Sequence, residues 1–244
     1  MKKFILNIMA LVLIAGLFNS CLEDPEPAAL EASADVFGQK IVEAGVEKVA
    51  PVFWVMGNKE LGSVTVAGPG DETWDLEKDS FSERVFNHSP GEGDYAALLD
   101  GAGTYTFTVS STQAEEAPVT VTDELEEEEL GAMSVSAANF VNNRLEVEWE
   151  KLDGAEGYLI RLYDDNDQLV FVSPQVAGTF TQLSFGPSDT GWVTTSINPQ
   201  VGEYFRMELV AILYESGVTV NKEYNIQYIS IASEDIIWGE TSIN

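Results

Sequence analysis

Residues 145–150 read Leu145-Glu146-Val147-Glu148-Trp149-Glu150, a strict alternation of apolar and acidic side chains. Successive side chains of a β-strand point to opposite faces, so this period of two predicts a strand with one buried face and one wet face. The two asparagines at 142–143, directly before the run, are typical of a turn. The stretch therefore predicts a half-buried strand in an all-β domain, with Trp149 on its inner face.

The sequence beyond this strand also predicts β-strands. Further short apolar or alternating runs occupy residues 158–163, 168–172, 180–185, 205–211 and 224–231. Asp164-Asp165-Asn166-Asp167 separates the first two runs and predicts a hairpin turn, because Asp and Asn side chains bond their own backbone. The same oxygens are ligands that calcium prefers, and the sequence leaves calcium binding there open. We otherwise predict no metal site and no cofactor.

The N-terminal half predicts strands as well. Residues 103–109, Gly103-Thr104-Tyr105-Thr106-Phe107-Thr108-Val109, alternate so that Tyr105, Phe107 and Val109 face inward. Runs rich in β-branched residues at 36–42, 46–56 and 61–67 predict three more strands. Residues 28–42 are also rich in Ala, Leu and Glu, which favour helix, but we prefer a tether that leads into a strand.

These patterns carry two resemblances. An L-x-V-x-W strand, a third strand led by Gly157-Tyr158 and a long penultimate strand ending in Ala211 resemble a fibronectin type III domain over about Met133 to Trp238. The Gly103-Thr104-Tyr105 entry is similar to bacterial immunoglobulin-like modules. The resemblances imply an all-β chain with two β-sandwich domains, immunoglobulin-like at 33–125 and fibronectin type III-like at 132–244.

An acidic run lies between these two regions. No Lys or Arg occurs between Arg84 and Arg144, and residues 123–129 hold six acids. Like charges this dense repel one another and stay extended and solvated. We therefore predict an exposed acidic linker at 126–131 that joins two independent modules.

The N-terminal residues predict where the protein is located. Residues 1–20 combine a basic start, an apolar run from Phe4 to Phe18 and a small residue before Cys21, the only cysteine. They resemble a bacterial lipoprotein signal peptide, which implies that Cys21 is lipidated and that residues 21–32 form an acidic tether. Acids directly after the cysteine resemble the export signal of Bacteroidota surface lipoproteins. We expect membrane attachment through the lipid on Cys21 and an outer-membrane location that faces the cell exterior.

Composition excludes several classes of function. The 244 residues carry 41 acids and 12 bases, a formal net charge of −29, so nucleic acid is not an expected partner. One cysteine and one histidine exclude internal disulfides, Cys/His zinc sites and Cys–His catalysis. No nucleophile elbow is present, and His88 lies in a predicted exposed loop. We predict that the chain is not an enzyme and has no catalytic residues.

The tryptophans are the remaining candidates for binding. We predict that Trp149 and Trp54 are core residues. Trp74 and Trp192 lie among polar, turn-forming residues, where an exposed indole beside Asp or Asn is a typical sugar platform, so both are candidate ligand-binding residues. The sequence therefore predicts a non-catalytic surface lipoprotein that binds a protein or glycan partner. The alternatives are a glycan-binding lipoprotein of a polysaccharide-uptake system and a fimbrial or adhesin-type subunit.

Overall fold

A computed structural model describes residues 28–70, 72–97, 101–193, 199–218 and 225–240. The signal peptide and the lipidated Cys21 predicted from the sequence lie outside the described residues. The described residues from Glu31 onward form one compact unit. Within the described ranges, no helix is long and apolar enough to span a membrane.

Strands dominate the described residues, and this confirms the predicted all-β class. The N-terminal strands are β1 (Ala32–Glu43), β2 (Val46–Gly57), β3 (Leu61–Ala67), β4 (Thr73–Asp75), β5 (Glu77–Lys78), β6 (Val85–His88), β7 (Gly103–Ser111) and β8 (Val119–Leu125). The C-terminal strands are β9 (Val135–Val141), β10 (Arg144–Trp149), β11 (Gly157–Tyr163), β12 (Leu169–Val172), β13 (Val176–Ala177), β14 (Gln182–Phe185), β15 (Tyr204–Tyr214) and β16 (Ile226–Ile237). A single 3-10 turn, Glu92–Asp94, interrupts the described strands. Residues 28–42, for which helix was the alternative, enter β1 as a strand.

Three sheets build two sandwiches. A nine-stranded sheet runs in the order β12-β11-β15-β16-β1-β2-β6-β5, with β13 beside β11. A four-stranded sheet, β4-β3-β7-β8, packs on its N-terminal half, and a three-stranded sheet, β14-β10-β9, packs on its C-terminal half. Strands β1 to β8 thus form one sandwich and β9 to β16 the other, with the long sheet common to both.

Each sandwich has an apolar core built by alternation. Leu145, Val147 and Trp149 of β10 are buried against Tyr158 and Ile160 of β11, as the period-two pattern predicts. The N-terminal core holds the three inward residues predicted on β7, together with a ring on β2. Those four buried side chains are Tyr105, Phe107, Val109 and Phe53.

The two halves of the long sheet meet where β1 pairs with β16 in parallel. The register places Gly38 beside Tyr228 and Ile41 beside Ile231. On its other side β1 pairs with β2 in antiparallel register along its whole length. Strand β1 is therefore an interior strand that hydrogen-bonds into both sandwiches.

Residues 126–129 of the acidic segment are exposed, as their charge predicts, but hydrogen bonds attach their backbone to the C-terminal sandwich. Gln227 of β16 receives the N–H of Glu126 at 3.2 Å and donates its amide to the carbonyls of Glu126 and Glu128, at 2.8 and 3.0 Å. Leu130 is fully buried in the C-terminal core. Lys40 of β1 pairs with Glu129 at 3.4 Å. Hydrogen bonds from the Gln227 side chain and the buried Leu130 therefore hold the segment beside β16 despite the like-charge repulsion.

Candidate functional site

Trp74 and Trp192, the two tryptophans predicted to bind a ligand, both pack against other aromatic rings. The Trp74 ring lies 4.9 Å from that of Phe53 and is half-buried. The Trp192 ring lies 4.8 Å from that of Phe171, and its Nε1–H donates to the carbonyl of Gly186 at 3.2 Å. Both side chains therefore extend the cores of their sandwiches, and the structure does not bring them together on one platform.

Trp54, by contrast, is exposed, and its prediction as a core residue is wrong. It lies in β2 with 48% of its surface accessible. Residues 52–56 are apolar throughout, but their side chains alternate between the two faces of the sheet. Phe53 and Val55 fill the sandwich core, so Trp54 and Met56 point to the opposite face. Trp54 lies there between Asp35 of β1 and Asn87 of β6, its cross-strand partners.

His88 ends β6 instead of lying in an exposed loop. Its Nε2 atom is 3.6 Å from a carboxylate oxygen of Asp94, and its ring packs 6.0 Å from that of Phe53.

The predicted turn at 164–167 does form. The Asp164 carboxylate accepts the N–H groups of Asn166 and Gln168, both at 2.9 Å, and Asp167 adopts a positive φ of 57°.

A groove crosses the outer face of the three-stranded sheet. Its volume is about 210 Å³, and it lies between β10 and β14, where the register pairs Glu146 with Ser184 and Glu148 with Gln182. The Phe180 ring, 50% exposed, lies among its lining residues. We call this surface, lined by Glu146, Glu148, Phe180, Gln182, Leu183 and Ser184, the Phe180 groove. It offers an aromatic ring, two carboxylates, an amide and a hydroxyl to a ligand.

A second cluster lies at the junction of the two sandwiches. Asp35 of β1, Asp123 of β8 and Glu215, which follows β15, place carboxylate oxygens within 4.8 Å of one another. Asp35 is nine-tenths buried, with 9% of its surface exposed. Asp123 accepts the N–H of Val36 at 2.7 Å. We call these three residues the junction carboxylates.

The electrostatics of the junction carboxylates are unfavourable to three negative charges. Burial and the neighbouring Asp123 and Glu215 raise the pKa of Asp35 to about 8. Burial, Asp123 and Glu126 raise the pKa of Glu215 to about 7. Burial also raises the pKa of Asp123. In the described parts of the chain, no ion pair reaches any of the three, so a proton or a cation is needed to balance them.

Sequence reasoning missed both the Phe180 groove and the junction carboxylates. The groove follows from the pairing of β10 with β14, which brings residues 146–148 beside residues 182–184. The three acids are about ninety residues apart in sequence and belong to a chain with 41 acids, so no spacing singles them out. Sequence analysis predicted only that the glutamates of β10 lie on its outward face, because they alternate with apolar residues.

Comparisons with solved structures return matches of low sequence identity and low TM-score. A segment of two fibronectin type III domains from chicken tenascin matches with 13% identity and a TM-score of 0.30, covering 86% of this chain and 98% of that one. The first three fibronectin domains of chicken CNTN1 match with 12% identity and a TM-score of 0.30, over 84% of this chain and 66% of that one. A β-1,2-glucanase from Parabacteroides distasonis matches with 10% identity and a TM-score of 0.31, over 87% and 37%. No family model and no curated protein matches the chain.

Proposed function

We propose that this chain is a non-catalytic, lipid-anchored binding protein of the bacterial cell surface. The observation that carries the proposal is the Phe180 groove, a concave surface on the outer face of the three-stranded sheet. Glu148 and Gln182 face each other across neighbouring strands there, next to an accessible phenyl ring. A ligand held in such a groove is fixed by a few polar groups and one apolar face, as in binding sites generally.

The groove favours a carbohydrate ligand. A pyranose ring has an apolar face that packs on an aromatic side chain, and hydroxyls that bond carboxylates and amides. The groove supplies Phe180 for the first and Glu146, Glu148 and Gln182 for the second. Its volume of about 210 Å³ is below the 300 Å³ or more of sites that enclose drug-sized ligands, so it suits one sugar unit of a longer chain.

A glycan array probed with the purified full chain tests this proposal. We expect binding to a defined set of oligosaccharides, confirmed by calorimetric titration of the best one. Phe180→Ala and Glu148→Gln should each weaken that binding at least tenfold, because each removes a contact that the sugar needs. Phe81→Ala is the matched control, since Phe81 is a phenylalanine that is 97% exposed outside the groove.

Two results would count against the proposal. Equal binding by Phe180→Ala and Phe81→Ala would remove the groove as the ligand site. Hydrolysis of any array sugar by the wild-type chain, lost in Glu146→Gln or Glu148→Gln, would make the protein an enzyme instead.

The lipid anchor has its own test. Cells grown with a fatty-acid analogue should label the wild-type chain and leave Cys21→Ala unlabelled, because the chain has no other thiol. Protease added to intact cells should then digest the labelled protein if it faces the exterior. Label retained on Cys21→Ala would contradict the proposed anchor.

A further inference from the structure

A phenylalanine side chain projects from the loop between β5 and β6. Phe81 is 97% exposed, more than any other large hydrophobic side chain in the described parts of the chain. Its loop is held by hydrogen bonds: the Asp79 carboxylate accepts the N–H of Phe81 at 2.8 Å and the side-chain amide of Asn87 at 3.3 Å. The Ser82 hydroxyl accepts the N–H of Arg84 at 3.3 Å. A defined loop therefore presents the phenyl ring to whatever lies beyond the sandwich.

This loop lies at the end of the N-terminal sandwich where the chain enters it. Glu31, which precedes β1, exchanges two hydrogen bonds with Asn58, both 3.0 Å long. The neighbouring residue, Gly57, donates its N–H to the carbonyl of Arg84 at 2.9 Å. The entry point of the chain and the Phe81 loop are therefore side by side. We call this end of the sandwich, formed by Glu31, Asn58 and the loop at 79–84, the entry pole.

The predicted lipid on Cys21 keeps the entry pole near a membrane. Glu31 is ten positions after Cys21, and a fully extended chain of that length spans at most about 36 Å. Strands β1 and β2, of twelve residues each, lead from the pole to a far turn roughly 40 Å away. Strand β16 runs parallel to β1 and so also leads away from the pole. The anchor therefore holds the entry pole nearer to the bilayer than the far turn.

The charge of the β5–β6 hairpin suits a lipid surface. Residues 77–84 carry three acids and two bases, so this hairpin is close to neutral in a chain with a formal charge of −29. At its tip, Phe81 lies between two serines, Ser80 and Ser82. The carboxylate of Asp79 is turned back into the loop by the hydrogen bonds that it accepts. The tip therefore brings an apolar ring to the headgroups without an acid beside it.

We propose that the ring of Phe81 inserts into the interface of the membrane that holds the lipid anchor. Phenylalanine is among the apolar residues that bury at the boundary of headgroups and acyl chains. One ring binds weakly by itself, but the tether keeps it at a high effective concentration beside the bilayer. The contact fixes the orientation of the N-terminal sandwich and directs the far turn outward. The inference rests on the lipid anchor of the proposed function and is independent of the glycan ligand.

Fluorescence quenching by labelled lipids measures this contact. In the lipidated chain purified from cells the Cys21 sulfur is occupied, so Ser80→Cys introduces the only free thiol for a dye. Ser80 is exposed and leaves Phe81 in place. In phosphatidylcholine vesicles that carry a nitroxide near the headgroup, we expect this dye to lose at least half its emission. Val46→Cys, next to the far turn and 53% exposed, is the matched reporter and should keep its emission.

Truncation of the phenyl ring gives the decision. Phe81→Ala, made in the Ser80→Cys chain, should restore most of the emission, while the protein still floats with the vesicles because its lipid remains. Val201→Ala is the control, since it shortens an apolar side chain that is 73% exposed in the C-terminal sandwich, and it should leave the quenching unchanged. Both variants should melt as the parent chain does, because both side chains are exposed.

Three outcomes would overturn the proposal. Equal emission from the reporters at 80 and 46, in protein that floats with the vesicles, would mean that the entry pole does not face the membrane and would leave Phe81 for a protein partner. Unchanged quenching in Phe81→Ala would assign the membrane contact to another group. A chain that does not float at all would remove the lipid anchor together with this inference, whereas the glycan array would be unaffected.

Discussion

Gly38 of β1 lies directly beside Tyr228 of β16, and the tyrosine ring occupies the space where a Cβ on residue 38 would stand. A Cβ built there would overlap Cε2 of Tyr228 and lie 2.5 Å from its Cδ2 atom. Tyr228 is buried in the C-terminal core and has no room to withdraw. Because Gly38 has no side chain, the Tyr228 ring of the other sandwich fits beside it where β1 and β16 pair in parallel.

The first prediction follows from this contact. Gly38→Ala should destabilise the chain by about 1–3 kcal/mol, as overpacking does in a filled core. Denaturant unfolding measures the effect, and Gly93→Ala, where a Cβ meets nothing within 4 Å, is the control. Tyr228→Leu should reduce the cost of Gly38→Ala in a double-mutant cycle. Equal stability of Gly38→Ala and wild type would contradict the close approach.

The second prediction concerns Trp149 and Trp54, both of which the sequence analysis assigned to the core. Trp149→Ala should cost about 3–5 kcal/mol, because it leaves a cavity beside Tyr158, whose ring centre is 5.2 Å away. Trp54→Ala should cost less than about 1 kcal/mol, because its ring is half exposed. Melting curves of the two variants make the comparison. Similar losses for both would mean that Trp54 is a core residue after all.

The third prediction concerns the acidic segment. A glutamate-specific protease should cut residues 123–129 of the folded chain slowly, since their backbone is held by Gln227 and followed by the buried Leu130. Gln227→Leu removes three hydrogen bonds and should accelerate cleavage there. Gln168→Leu, in the exposed hairpin turn, should leave the rate unchanged. Rapid cutting of the wild-type chain into two stable fragments would show that Gln227 does not hold this segment and would support a free linker.

The fourth prediction is a loss of stability in alkali. Burial, followed by the charge of Glu72, raises the pKa of Tyr105 to about 12 from a usual value of 10.0. The unfolded chain therefore releases this proton first, so Tyr105 contributes its full stabilisation below about pH 10 and loses it as the pH rises through 12. The loss amounts to about 3 kcal/mol. Tyr105→Phe should flatten the fall in unfolding free energy between pH 10 and 12, and an unchanged slope would contradict the assignment.

Local alternation predicted the strands because a period of two is a property of the backbone itself. It predicted the inward faces of β7 and β10 correctly, since each has one apolar and one polar face. It failed at Trp54, because residues 52–56 are apolar on both faces and no alternation remains to choose between them. At the acidic segment, charge density predicted the exposure of residues 126–129 but not their hydrogen bonds to Gln227.

The sequence by itself determined the all-β class and the inner faces of the clearest strands, because these depend on neighbours two residues apart. It also predicted lipidation of Cys21, which lies outside the described residues. Tertiary structure alone decided the parallel pairing of β1 with β16, the packing of residues 126–130 along β16, and the meeting of Asp35, Asp123 and Glu215. Those contacts join residues about ninety or more positions apart, and their free energy comes from burial and pairing that no local pattern encodes.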